Sequence, residues 1–345
     1  MPDFQTQARE SEFLHGFRRT LVGRDDVLTF GSNDAGPAYS DHLVCLDRAT
    51  GALRWEFGGG DSSLDLLGPA CADLANVYVG RSNGVLYALR RGSGTQAWHL
   101  PRGRGICVPC FHAGRLLVSE APVNILQVDP ASGEIVDDTR VALHKYPSDL
   151  RAVLVPHERL LFQITSDGTL TELSKNWPGR WISDAAAHVL APTAIYVATP
   201  AGIVRSLDLG DGSELWSADG PAEVKRLVTD GKTLWTSSSG GAIGALEALT
   251  GEPRWSRKMG TAASMVEWNG RLYLDMNAKI AVLDGETGES VGEIAVEGAP
   301  YAAMAVEDET LFVAHLAEPE VVMHAVPVGA GSVKWRTVIG GYGLS

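Results

Sequence analysis

The residues whose types and spacing could do chemistry are concentrated in "GICVPCFHAGR", residues 105–115. Cys107 and Cys110 stand in C-x-x-C spacing with His112 two residues on. The pattern suits a redox pair or half a zinc site. It does not suit haem attachment, because Phe111 occupies the position where that motif needs histidine. A second feature surrounds it. No acidic residue lies between Asp73 and Glu120, a window that carries Arg81, Arg90, Arg91, Arg102, Arg104 and Arg115. With those arginines set aside, the remainder of the chain carries −19 against a whole-chain charge of −13. "PRGRG" (101–105) places two of them among glycines whose amides can face an anion, and a neighbouring Cys107 thiol would be acidified by them. The bland alternative is a solvated face whose arginines pair with adjacent elements.

Other chemical templates are missing. The sequence has no H-E-x-x-H, no G-x-S-x-G and no Walker A motif, and the nine histidines are scattered. "SSSGGAIGALEAL" (237–249) lacks the first glycine of a dinucleotide fingerprint and sits in a strand pattern. The acidic groups Asp25/Asp26, Asp137/Asp138 and Glu307/Asp308/Glu309 fall where turns are expected, so they read as solvated turn residues. A net charge of −13 argues against a nucleic-acid partner. No stretch approaches the roughly 20 apolar residues of a membrane helix, so membrane insertion is not expected. The start of the chain, "MPDFQTQARESEFLHGF", has no basic segment followed by an apolar run, which predicts a cytoplasmic protein.

The elements that must position these residues are repeats. "LDRATGALRW" (46–55) has close copies in "LDLGDGSELW" (207–216) and "LEALTGEPRW" (246–255). The step from glycine to tryptophan four residues later recurs at Gly51–Trp55, Gly94–Trp98, Gly212–Trp216, Gly251–Trp255 and Gly331–Trp335. "VDPASGEIVD" and "LDGETGESVG" keep the turn without the tryptophan, and "LSKNWPGRW" keeps a tryptophan with a deformed turn. Short apolar runs precede each turn, so each of the eight units reads as four strands with a Thr-Gly or Ser-Gly turn between the last two. The prediction is an all-β, eight-bladed β-propeller of four-stranded antiparallel blades over residues 18–345, with an N-terminal extension over 1–17. Each blade is expected to be contiguous in sequence, and the ring to close mainly by side-chain packing between the first and last blades.

The L-D-x-x-T-G-x-x-x-W turn, intact from Leu46 to Trp55, resembles the repeat of the PQQ-like propellers. That family includes quinoprotein alcohol dehydrogenases, a bacterial outer-membrane assembly lipoprotein and many non-enzymatic relatives. The enzymes of the family carry large insertions, a vicinal cysteine pair and a calcium site. This chain has neither adjacent cysteines nor long insertions, so the resemblance implies a non-catalytic member without cofactor or metal.

Aligning the units tests the cysteines. The column at Cys110 reads Leu21, Cys71, Cys110, Leu154, Val189, Leu227, Val266, Met304, apolar throughout. Cys110 is therefore a core residue. The column at Cys107 is mixed: Arg18, Gly68, Cys107, Arg151, Ala186, Val224, Ala263, Tyr301. It falls where first strands begin, near one mouth of the central channel. His188, in the first strand of the fifth blade, is placed to line that channel. The binding candidates are thus Arg102, Arg104, Cys107, Arg151 and His188, on a scaffold that binds a partner protein or an acidic peptide or ligand. The alternative is an oxidoreductase, dependent on PQQ or another cofactor, or a small-ligand sensor, using the channel.

Overall fold

The structure is a computed structural model that describes residues 20–34, 39–58, 70–81, 83–102, 107–112, 114–120, 124–140, 152–157, 160–165, 170–172, 186–329 and 332–342. The expected N-terminal extension, Arg104 and Arg151 lie outside them. The described residues form strands and turns without a helix, arranged as an eight-bladed propeller. In blade 2 the strands Cys71–Ala72, Asn76–Gly80, Val85–Arg90 and Gln96–Pro101 pair antiparallel in sequence order. Blades 3, 5, 6 and 7 repeat this plan, and blade 4 contributes three described strands between Ala152 and Glu172. First strands of successive blades neighbour one another around the axis, so the fourth strands form the rim.

Burial follows from this placement. Second strands are packed by a blade on each side, and Asn76–Gly80, Ala194–Ala198 and Thr233–Ser238 are buried at every position. Third strands alternate, and the rim strands are largely exposed. The third-to-fourth turn is built by its aspartate. Oδ1 of Asp47 accepts from the amides of Ala49 and Thr50 and from the Thr50 hydroxyl. The Gly51 amide then donates back to the Asp47 carbonyl at 2.8 Å. This closure requires a left-handed residue (Gly51 has φ +73°), the conformation glycine adopts without penalty.

The glycine has a second function that joins blades. A Cβ on Gly51 would lie 2.5 Å from the Trp335 indole of blade 8, and one on Gly251 would lie 2.6 Å from Trp216 of blade 5. Gly94, Gly133 and Gly288 meet Trp55, Trp98 and Trp255 in the same way. Each indole N–H also donates to the carbonyl three residues before the glycine: Trp55 to Arg91 at 2.7 Å, Trp98 to Pro130 at 3.0 Å, Trp216 to Ala248 at 3.0 Å, Trp255 to Gly285 at 3.1 Å and Trp335 to Arg48 at 3.1 Å. At three interfaces a second-strand aromatic shares the same acceptor: Tyr78 with Pro130, Tyr196 with Ala248 and Trp235 with Gly285. Just before the tryptophan the register slips by one residue, as between Cys45 and Leu46 or Ala245 and Leu246. The bulged residue faces solvent, which accounts for exposed Leu215 in blade 5 and for Val136 and Val291 at the same place in blades 3 and 7. Where that residue is arginine it returns to the acid of the turn, Arg54 to Asp47 and Arg254 to Glu247.

Ring closure goes beyond the expected packing. Asn33 and Asp34 of blade 1 pair in parallel with Gly341 and Tyr342 of blade 8, making one nine-stranded sheet. His42 Nε2 lies 2.6 Å from the Ile339 carbonyl, and the Thr337 hydroxyl donates to the Gly51 carbonyl at 2.7 Å.

The clasp is tested by Gly251→Ala, expected to lower the unfolding free energy by roughly 2 kcal/mol. Trp335→Ala should cost about 3–5 kcal/mol. Gly92→Ala, where an added Cβ meets nothing within 4 Å, should be near neutral. Urea and thermal midpoints of the three variants check the order.

Candidate interaction faces

Strands of five or six residues carry the chain from one face of the ring to the other. The turns between strands 2 and 3, and the exits to the next blade, share one face. The turns between strands 1 and 2 and between strands 3 and 4 share the opposite face. This divides the five described arginines of the window from Asp73 to Glu120. Arg81 and Arg102 lie on the exit face, next to the Gly84 turn, with Arg102 N donating to the Gly84 carbonyl at 2.8 Å. Arg90, Arg91 and Arg115 lie on the turn face. The basic stretch of sequence is thus not one surface.

Most of the described arginines in the window have neighbours inside the ring. Arg91 forms a two-bond fork with Asp26 of blade 1, Nε to Oδ2 at 2.7 Å and Nη2 to Oδ1 at 2.6 Å. Its Nη1 donates to the Asp73 carbonyl at 3.1 Å. Arg81 lies 5.6 Å from the ring centres of both Phe57 and Tyr87. Arg115 donates to Gln127 at 3.4 Å. Arg102 approaches Asp138 of blade 3 at 3.9 Å and stays about a quarter exposed (26%).

The acidic groups are not all solvated turn residues. Asp26 is 3% exposed, because the Arg91 fork draws it into the gap between blades 1 and 2. Asp137 and Asp138 belong to a rim strand, Ile135–Arg140, rather than a turn. Asp308 does occupy a turn and pairs with Arg48 at 2.9 Å across the seam of blades 8 and 1. Beside that pair a cleft of about 570 Å³ opens, lined by Arg24, Arg48, Arg54, Lys334, Asp25 and Asp308 among others. Sequence reading missed it, since its walls come from opposite ends of the chain.

Cys107 opens the first strand of blade 3, opposite Glu120, and Cys110 pairs with Leu117 in the same ladder. Cys110 is 5% exposed, as its apolar column implies. Cys45, Cys71 and Cys110 are free thiols. Burial, with Asp26 adding to it, pushes Cys45 up to about 12, and burial raises Cys71 well above the ordinary thiol range. Such thiols are poor nucleophiles at neutral pH. His188 is 5% exposed, in the first strand of blade 5 opposite Val197, within a strand buried at every position. Among the described residues, no three His, Cys, Asp or Glu side chains are grouped to hold a metal ion. No helix among them is long and apolar enough to cross a membrane.

The repeat and the propeller fold match a family of known proteins. The family model described as "Outer membrane protein assembly factor BamB" matches residues 18–218 and 82–274. The chain belongs to this family. It is 24% identical over 269 residues to the BamB of Yersinia pestis, covering 71% of this chain and 60% of that protein. The match therefore spans less than two thirds of that relative's length. The crystal structure of BamB from Moraxella catarrhalis superposes with a TM-score of 0.68 at 16% identity, covering 92% of this chain and 96% of that one. The quinohemoprotein alcohol dehydrogenase of Comamonas testosteroni superposes with a TM-score of 0.63 at 11% identity, over 93% and 71% of the two chains, which shows the shared fold alone. The PQQ-like resemblance of the repeat is thereby established. The expectation of a cytoplasmic protein is overturned by the family match, since the family and the relatives it includes are outer membrane protein assembly factors. The expectation rested on a missing leader pattern, and such an absence does not fix a compartment.

Two outcomes follow from these pairs. Arg91→Met should destabilise the ring by roughly 3 kcal/mol or more, because it strands the buried Asp26 carboxylate, with the loss read from urea unfolding. The turn aspartates give an acid dependence. Hydrogen bonds to Arg54 and Thr50 hold Asp47 far below the carboxylate range, and those to Ser132 and Thr287 lower Asp129 and Asp284. A depressed carboxylate contributes stability above its unfolded value, near 3.8, and loses it as pH falls through the folded value. The thermal midpoint should drop below about pH 4, and less steeply in the triple variant Asp47→Asn, Asp129→Asn, Asp284→Asn.

Proposed function

We propose that this chain is a non-enzymatic β-propeller scaffold that takes part in outer membrane protein assembly by binding a partner protein through its loop faces. The observation that carries the reading is the family match over residues 18–218 and 82–274. The use of the conspicuous side chains supports it: tryptophans, turn aspartates and Arg91 are engaged in joining blades. What a partner meets is then the loops and the rim, which can vary without disturbing the blades.

Arg102, on the exit face, and Arg104, two residues on in the sequence, are the proposed contact for an acidic segment of the partner, with Cys107, Arg151 and His188 as the further candidates singled out by sequence. Arg102 supports this by its position on an exit loop and its remaining exposure. The test is an affinity pull-down from envelope extracts of the native host, using the wild type and the double variant Arg102→Glu, Arg104→Glu. Loss of a partner from the folded variant is the expected result. An unchanged set of partners removes the exit-face arginines from the proposal while leaving the scaffold reading open to loop variants on the other face.

A further inference from the structure

Of the eight residues that share one register in the second strands, six are nonionisable and the other two pair across a single seam. Two residues beyond the position facing each Cys110-column residue stand Phe30, Gly80, Ser119, Thr165, Ala198, Ser238, Asp275 and His315. Only the last two ionise, and they belong to adjacent blades. His315 Nε2 lies 2.9 Å from Asp275 Oδ1, and both side chains are fully buried. The ring of His324, from the third strand of blade 8 (Glu320–Pro327), is centred 5.9 Å from that of His315. Around them the interface is apolar, with Tyr273, Ile280, Val282, Val313 and Val326.

This seam also lacks the clasp. The residue that pairs with Val282 is Gly292, where blade 6 has Trp255 opposite Ala245. A Cβ on Gly292 would meet nothing within 4 Å. Blades 7 and 8 are thus joined by apolar packing and a buried polar cluster in which His315 Nδ1, Asp275 Oδ2 and both nitrogens of His324 have no hydrogen-bond partner. Buried polar atoms of this kind make an interface sensitive to protonation.

We propose that Asp275, His315 and His324 form an acid-released latch between blades 7 and 8, the seam at which the ring loosens first when protons are supplied. The groups around the latch are few. From blade 7 they are Ser264, which accepts from the Met304 amide at 3.0 Å, and the buried Tyr273. From the connector and blade 8 they are Glu297 and Arg336, which pair at 3.1 Å, with Arg336 also paired with Glu320 at 2.9 Å. Burial, then the neighbouring His315 and Arg336, lower His324 from 6.5 to about 4. A histidine held neutral by the fold contributes stability that is lost as pH falls from about 6.5 towards 4. Burial raises Asp275, whose cost in the fold is instead relieved by acid. The two act in opposite senses on one seam, with His324 carrying the release by acid. Because blade 8 also carries the strand that closes the ring on blade 1, release here reaches the closure.

The test is hydrogen exchange by mass spectrometry on the full chain between pH 7 and pH 5, corrected for intrinsic rates. Protection of Arg271–Met276 and Thr310–Ala317 should fall over that interval, by up to the about 20-fold that His324 alone would give, while Thr233–Ser238, beside a clasped interface, changes little. His324→Phe should abolish the differential loss, and Asp275→Asn should steepen it. Equal loss in all blades of the wild type, or an unchanged pH response in a folded His324→Phe, overturns the latch. The wild-type comparison stands even if a variant fails to fold.

Discussion

A tryptophan laid on the glycine of the next blade's turn is the contact on which this ring depends. A propeller blade has no natural attachment to its neighbour, since its backbone hydrogen bonds are spent within its own sheet. The indole supplies both a large apolar face and one directed N–H, and the turn supplies a Cβ-free surface and a carbonyl at the right height. Each turn must therefore be left-handed at the same residue, which is why the aspartate cap, the Thr or Ser hydroxyl and the glycine travel together. The bulge before the tryptophan belongs to the same device, because it turns the indole sideways out of its own sheet. A single motif of ten residues thus fixes the strand turn, the rim and the interblade contact.

That economy explains what was legible in the sequence. Blade number, strand number and the core character of Cys110 all follow from repetition, which a single chain displays openly. Partnership between units is not displayed. Gly51 and Trp55 lie four residues apart, yet Gly51 serves Trp335 and Trp55 serves Gly94. The arginines misled for a related reason: nearness in sequence suggested one basic surface, whereas six-residue strands deliver successive arginines to opposite faces. Asp26 looked like a turn acid because its partner, Arg91, lies 65 residues away in the next blade. The cleft at the seam of blades 8 and 1 joins residues nearly 300 positions apart, beyond the reach of any local pattern.

The compartment could not be read from composition at all. A charge of −13 and 45% hydrophobic residues describe any acidic globular protein, and the address of a protein is carried by recognition rather than by the physics of its fold. Family membership corrected the compartment while leaving the physical reading of the blades intact.

The uneven distribution of the clasp has a mechanical consequence. Indoles and aliphatic side chains do not titrate, so the clasp itself gives an interface no response to pH near neutrality. Where blade 7 offers Gly292 in place of a tryptophan, the seam rests on packing and on a buried carboxylate facing imidazoles. Removing such groups from water costs several kcal/mol each unless they are fully satisfied, and four of their polar atoms have no hydrogen-bond partner. Blade 3 also departs from the repeat, with Asp137 where a tryptophan stands in other blades; blade 7 differs in placing buried titratable groups beside the blade that completes the circle, where a change of charge can act on the closure.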